Sequence, residues 1–229
     1  ELQPACPGEA NGRIELLVNG GSGSFEFTWS DNPDRNSPLA ENLPSGEYEV
    51  RIKDLTGCAE EVIRIELVEP DSLVLEAVPE LRPVTCAGES SGSAFLALRG
   101  GNPPFQVSNF PSVWDGNILS VAGLPAGTRE LFVTDSRGCV LPVRVDIPDQ
   151  EPVEVIAQVE NPGCEGSLDG VLELQIRGGV GPYEVSWADG RVGARIEELP
   201  FGSYSYTVTD AKGCVVTGEA VVNQARPEL

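Results

Sequence analysis

Six cysteines and one recurring aspartate are the residues of this 229-residue sequence whose types and spacing could do chemistry. The cysteines fall in pairs about fifty residues apart: Cys6 with Cys58, Cys86 with Cys139, Cys164 with Cys214. Paired thiols serve as nucleophiles, zinc ligands or disulfides. The sequence has no His and no close C-x-x-C pair, which removes the usual zinc ligand sets and excludes Ser-His-Asp and Cys-His catalysis. Disulfides remain, and with them a compartment outside the cytosol. Fifteen connectivities are open to six cysteines. Cys6–Cys58, Cys86–Cys139 and Cys164–Cys214 make every copy of the repeat described below equivalent and self-contained, and are the expected bridges. Closing a loop of about fifty residues restricts the denatured chain by roughly 4 kcal/mol, comparable with the whole stability of a domain of this size.

The aspartate opens a motif that ends on the second cysteine of each pair: Asp54-Leu-Thr-Gly-Cys58, Asp135-Ser-Arg-Gly-Cys139 and Asp210-Ala-Lys-Gly-Cys214. Asp54, Asp135 and Asp210 are conceivable Ca²⁺ ligands, since calcium takes carboxylate and carbonyl oxygens. An Asp at the head of a turn also accepts backbone N–H bonds, and that is the expected role, with no cofactor required. Paired carboxylates could serve a glycosidase, but such a site needs a deep cleft that a small sandwich rarely provides. The stretch Gly20-Gly21-Ser22-Gly23 leads into a strand rather than a helix, so it is not a phosphate loop. The sequence therefore predicts no enzyme.

The elements that must position these residues repeat with a period of about 80 residues. Each copy opens on Cys (Cys6, Cys86, Cys164), has Gly six residues later (Gly12, Gly92, Gly170), then Gly-Gly (Gly20-Gly21, Gly100-Gly101, Gly178-Gly179), and closes on the Asp-x-x-Gly-Cys motif. Apolar residues alternate between these landmarks, as in a strand with one face buried. The first strand carries Ile14, Leu16, Val18, then Ala94, Leu96, Leu98, then Leu172, Leu174, Ile176. The second carries Phe25, Phe27, Trp29, then Phe105, Val107, Asn109, then Tyr183, Val185, Trp187. A Leu-Pro turn (Leu43, Leu124, Leu199) precedes a strand with Tyr48, Arg129 or Tyr204 near its start, where the tyrosines suit a core or corner-turn role. Segments Ser72 to Val78 and Pro152 to Val159 read as leading strands of the second and third copies. Short strands with turn signals every eight to twelve residues predict an all-β chain of three tandem immunoglobulin-like antiparallel β-sandwich domains, each with one internal disulfide. Trp29 and Trp187 fit the buried Trp of such folds; the second copy has Asn109 there and Trp114 nearby.

The net charge of −21 is spread over all three copies. A partner nucleic acid needs a basic stripe, and none is present. An acidic, solvated surface that resists self-association is the expected use of the charge. No apolar run is long enough to cross a bilayer as a helix, so no membrane insertion is expected.

Taken together, Cys, then Gly, then Gly-Gly-x-x-P-[FY]-x-x-x-[WN], then Leu-Pro-x-Gly, then Asp-x-x-Gly-Cys resembles the SprB repeat, best in the third copy from Gly178 to Trp187 and from Gly202 to Asp210. The first copy departs at Ser24 and the second at Asn109. The resemblance implies tandem modules of a large adhesin of gliding Bacteroidetes, exported by the type IX secretion system and displayed on the outer surface of a Gram-negative cell. It brings no catalytic residue. It also makes Ser72, in Asp71-Ser72-Leu73, a candidate O-glycosylation acceptor. The expected domains are residues 1–69, lacking a leading strand, 70–149, and 150–229, which ends where a next leading strand would begin. The sequence reads as a window on a longer array, with an exposed edge on the first sandwich or its completion by another chain. The expected role is a stalk or adhesin segment acting in attachment or gliding, in contact with further repeats, surface polysaccharide or other cell-surface proteins. The alternative is an array of carbohydrate-binding modules.

Overall fold

The computed structural model describes residues 1–56, 59–164 and 166–224. Among these the regular structure is all β. The first copy contains β1 (Gly12–Glu15), β2 (Phe25–Trp29), β3 (Leu39–Leu43), β4 (Gly46–Asp54) and β5 (Glu60–Leu67). The second contains β6 (Val74–Leu75), β7 (Glu80–Arg82), β8 (Gly92–Arg99), β9 (Gln106–Val107), β10 (Ser112–Trp114), β11 (Ile118–Leu124), β12 (Gly127–Thr134) and β13 (Val140–Ile147). The third contains β14 (Glu154–Glu160), β15 (Gly170–Arg177), β16 (Glu184–Trp187), β17 (Arg195–Leu199), β18 (Gly202–Thr209) and β19 (Val215–Val222).

One pairing scheme occurs three times. A three-stranded sheet forms from β2-β4-β5, from β9-β12-β13 and from β16-β18-β19. The opposing sheet is β1-β3 in the first copy and β14-β15-β17 in the third, while in the second β8 pairs β6, β7 and β11, and β11 in turn pairs β10. The period-two alternation sets the register: Phe27 lies opposite Ile52 and Trp29 opposite Val50, so their inward side chains meet on one face. In the first copy Ile14, Trp29, Ala40, Leu43, Val50 and Leu67, drawn from both sheets, form one buried cluster. In the third, Leu172, Trp187, Ile196, Leu199, Val208 and Val222 do the same. Two antiparallel sheets closed over one core make an immunoglobulin-like sandwich.

A corner turn of the kind found in that architecture is also present. The Tyr48 hydroxyl donates to the Pro44 carbonyl at 2.7 Å and the Tyr204 hydroxyl to the Pro200 carbonyl at 2.8 Å. In the second copy Arg129 takes this part through Nη2, which donates to the Ala126 carbonyl at 2.7 Å. The same copy departs at its second strand. Asn109 adopts φ +71°, a left-handed conformation that ends β9 after two residues. Trp114 does not replace the missing core Trp; it lies half-buried on β10 with its ring edge-on to Phe105 at 4.7 Å.

By spatial clustering the chain separates into two compact units. One comprises Glu1–Glu80, Phe95–Val121 and Glu130–Arg144; the other comprises Leu81–Ala94, Ala122–Arg129 and Val145–Leu229. Residues of the middle repeat are thus distributed over both.

Candidate functional site

The two most distinctive motifs of the repeat, Gly-Gly and Asp-x-x-Gly-Cys, are the two halves of a single clasp. The Asp ending strand β4 or following β12 and β18 is almost fully buried: Asp54 is 8% exposed, Asp135 3% and Asp210 5%. One carboxylate oxygen reaches across to the residue after Gly-Gly. Asp135 Oδ2 accepts the Asn102 N–H at 2.9 Å, and Asp210 Oδ2 the Val180 N–H at 2.9 Å. The other oxygen gathers the closing turn. Asp135 Oδ1 accepts the N–H groups of Arg137 and Cys139, both at 2.9 Å; Asp210 Oδ1 accepts those of Lys212 at 2.8 Å and Cys214 at 2.9 Å. In the first copy Asp54 accepts the Ser22 N–H at 2.9 Å, the Thr56 N–H at 3.0 Å and the Ser22 hydroxyl.

The second Gly of the pair is required by this arrangement. Gly21, Gly101 and Gly179 have φ of +66°, +62° and +59°, and a Cβ would stand 2.7, 3.3 and 2.9 Å from the carboxylate oxygen of Asp54, Asp135 and Asp210. Beside it, the leading segment packs a buried apolar residue, Leu73 or Val153, and its backbone accepts the Gly N–H: Gly101 to Asp71 and Gly179 to Glu151, both at 3.1 Å.

The clasp sets the electrostatics of the carboxylates. The Ser22 hydroxyl, then the Thr56 and Ser22 amides, hold Asp54 well below the usual carboxylate range, outweighing its desolvation. At Asp210 desolvation pushes the pKa upward, but the amides of Cys214, Val180, Lys212 and Gly213 together overcome it and lower it. The candidate calcium ligands therefore face backbone donors. Among the described residues no group of three or more His, Cys, Asp or Glu is gathered that could hold a metal ion.

The cysteines pair differently from expectation. Cys6 is bonded to Cys139 and Cys86 to Cys214, each with Cα atoms 5.5 Å apart. This corrects all three expected bridges, Cys6–Cys58, Cys86–Cys139 and Cys164–Cys214; Cys58 itself lies outside the described residues, and Cys164 is a free, exposed thiol. The rule in the structure is that the opening cysteine of one copy joins the closing cysteine of the next.

Strand geometry explains the correction. The opening cysteine precedes the first strand, at the end of the sandwich where Gly12, Gly92 and Gly170 press against the carbonyls of Leu43, Leu124 and Leu199. Gly-Gly, the clasp and the closing turn lie at the other end of that strand. Eight residues of strand, as in Gly170–Arg177, separate the two ends by about 27 Å, far beyond disulfide reach. The closing turn of the second copy meets the opening of the first instead: Cys139 Sγ lies 3.3 Å from the Ala5 carbonyl oxygen. Likewise Cys214 Sγ lies 3.4 Å from the Thr85 carbonyl oxygen.

Ser72 is exposed on the leading segment, between Asp71 and the buried Leu73.

Comparison with known proteins gives one family. The model of the SprB repeat matches residues 3–34. No curated protein matches the sequence. Among solved structures, the chain is similar to Dpr11 IG1 bound to DIP-gamma IG+IG2, with 13% identity over 66% of this chain and 100% of that chain and a TM-score of 0.30. It is similar to surface layer protein SbsC, domains 4–9, at 14% identity over 93% of this chain and 42% of that one, with a TM-score of 0.23. The N-terminal four Ig domains of Dscam1 isoform 6.44 are 14% identical over 95% of this chain and 73% of that one, with a TM-score of 0.27.

Proposed function

We propose that this chain, which carries an SprB repeat at residues 3–34, is a non-catalytic structural and adhesive segment of a bacterial cell-surface protein. Its finer role is that of a stalk in surface attachment or gliding, exported by type IX secretion and displayed outside a Gram-negative cell. The observation that carries this reading is the offset bonding: Cys6–Cys139 and Cys86–Cys214 each join two consecutive repeats. A bond that crosses from one module to the next serves an array under load. Two further features support a role without chemistry: the absence of His, and the engagement of the recurring carboxylates by backbone amides. The natural partners are further repeats of the same polypeptide, with surface polysaccharide or other surface proteins as what is gripped. Ser72 is open to O-glycosylation in that setting.

Antibody labelling of intact cells, with loss of attachment on deletion of the array, tests the surface role; a chain found only inside intact cells would end it. A glycan array tests the carbohydrate-binding alternative. The exposed aromatic rings Phe132 and Phe201 are its available platforms, and sugar binding lost in Phe201→Ala would replace the stalk reading.

A further inference from the structure

The free thiol of Cys164 stands in a setting built twice more in the same chain, and in both of those it is bonded. The residue before each opening cysteine donates its N–H to a side chain shortly downstream: Ala5 to Asn11 at 2.8 Å, Thr85 to Ser91 at 2.7 Å, Gly163 to Asp169 at 3.3 Å. The carbonyl of each opening cysteine accepts the N–H three residues on: Cys6 from Glu9 and Cys86 from Glu89 at 3.1 Å, Cys164 from Ser167 at 3.2 Å. At the first two, the sulfur of another copy's closing cysteine sits against the preceding carbonyl oxygen. At the third the same cradle holds an exposed thiol.

We infer that Cys164 is a covalent docking site for the closing Asp-x-x-Gly-Cys turn of a further repeat, forming a third bridge of the same offset kind. Cys139 and Cys214 are engaged in the two bridges, so the closing cysteine of this sequence left to fill that role is Cys58 of a second copy. At the two bonded cradles the incoming cysteine is a closing one whose amide its own aspartate fixes, Cys139 by Asp135 and Cys214 by Asp210. Bond formation is thiol–disulfide exchange. Cys164 and Cys58 lose two electrons to oxidised glutathione, their sulfurs join, and the two thiol protons leave on two molecules of reduced glutathione.

The full chain tests this with two variants, Cys58→Ser and Cys164→Ser, mixed in equal amounts in a glutathione redox buffer. Each variant retains one of the two thiols, and peptide mapping without reduction verifies that both keep Cys6–Cys139 and Cys86–Cys214. The mixed dimer linked through Cys58 and Cys164 is expected to exceed either homodimer by about tenfold, because docking raises the effective concentration of the correct pair. Homodimers accumulating alongside it in statistical proportion, or glutathione adducts with no dimer, overturn the inference. Failure here removes the third bridge and leaves the surface role standing.

Discussion

Pulling the chain from its ends, with one cysteine substituted, separates the offset pairing from closure within each copy. With Cys6–Cys139 and Cys86–Cys214 intact, the shortest covalent path from Cys6 to Cys214 crosses one bridge, runs back from Cys139 to Cys86, and crosses the other. That path holds about 50 residues of backbone, so full unfolding extends it to about 180 Å; the reduced chain has about 210 residues between the same points, or about 730 Å. Bridges within each copy would give the same oxidised length, so the intact protein does not discriminate. A single substitution does. In Cys139→Ser the shortest path becomes Cys6 to Cys86 and then the remaining bridge, about 80 residues, a gain of about 100 Å. A bridge confined to the second copy would release its whole loop of about 50 residues, a gain of about 180 Å. Single-molecule force spectroscopy resolves this difference. The expected trace for Cys139→Ser shows the smaller gain, followed by a large further release, about 450 Å, when reductant removes the second bridge. Equal increments near 180 Å for each bridge lost would refute the offset pairing.

Asp135→Ala strands the half-buried amides of Asn102 and Cys139, while the exposed Arg137 amide finds water; the expected cost is about 2–5 kcal/mol, read by urea unfolding. Asp135→Asn is expected to lose nearly as much, because its NH₂ faces a backbone donor, and chelator should leave the wild-type midpoint unchanged; a fall with chelator would assign the carboxylate to calcium. Gly178→Ala and Gly20→Ala change equivalent positions of the repeat, yet a Cβ at Gly178 would stand 2.0 Å from the Pro152 carbonyl oxygen whereas Gly20 has open space. Thermal melts should show about 1 kcal/mol lost at Gly20, from backbone strain alone, and about 3 kcal/mol or more at Gly178; equal losses would contradict the described packing. Asp54 and Asp210 have folded pKa values below their ordinary 3.8, so their contribution is complete above that pH and is lost as pH falls through the lowered values. The melting temperature should decline below about pH 4, and Asp210→Asn should flatten that decline; an unchanged acid limb in the variant would sink the assignment.

Much of the fold was legible because it rests on local pattern. Alternation in Ile14-Leu16-Val18 or Leu172-Leu174-Ile176 needs only a strand with one buried face, and the same parity points the tyrosines at 48 and 204 to a core or corner-turn role. The middle copy was harder. Its Asn109 turns the chain where Trp29 and Trp187 continue it, and no alternation signals a left-handed residue in advance. The pairing of the cysteines was missed for a different reason. Equivalence of the copies suggests closure within each, but a repeating array is equally uniform when every bond is shifted by one. Gly-Gly follows the first strand directly, the Asp that clasps it stands beside the closing cysteine, and so the two cysteines of a copy lie a full strand length apart.

The clasp and the bridge form one causal chain. Gly101 has no Cβ, so Asp135 can approach the turn after it. The second oxygen of that carboxylate then fixes the amide of Cys139, and the fixed cysteine carries its sulfur to Cys6 of the preceding copy. The same sequence of contacts runs from Gly179 through Asp210 and Cys214 to Cys86. A loss at the glycine should therefore be felt in the neighbouring repeat. Substituting Gly101 or Asp135 loosens the closing turn that must meet Cys6, so each weakens the covalent joint without touching a sulfur. The motif thus ends on Asp-x-x-Gly-Cys as a unit, in which the aspartate fixes the amide of the cysteine that bonds a partner in another copy.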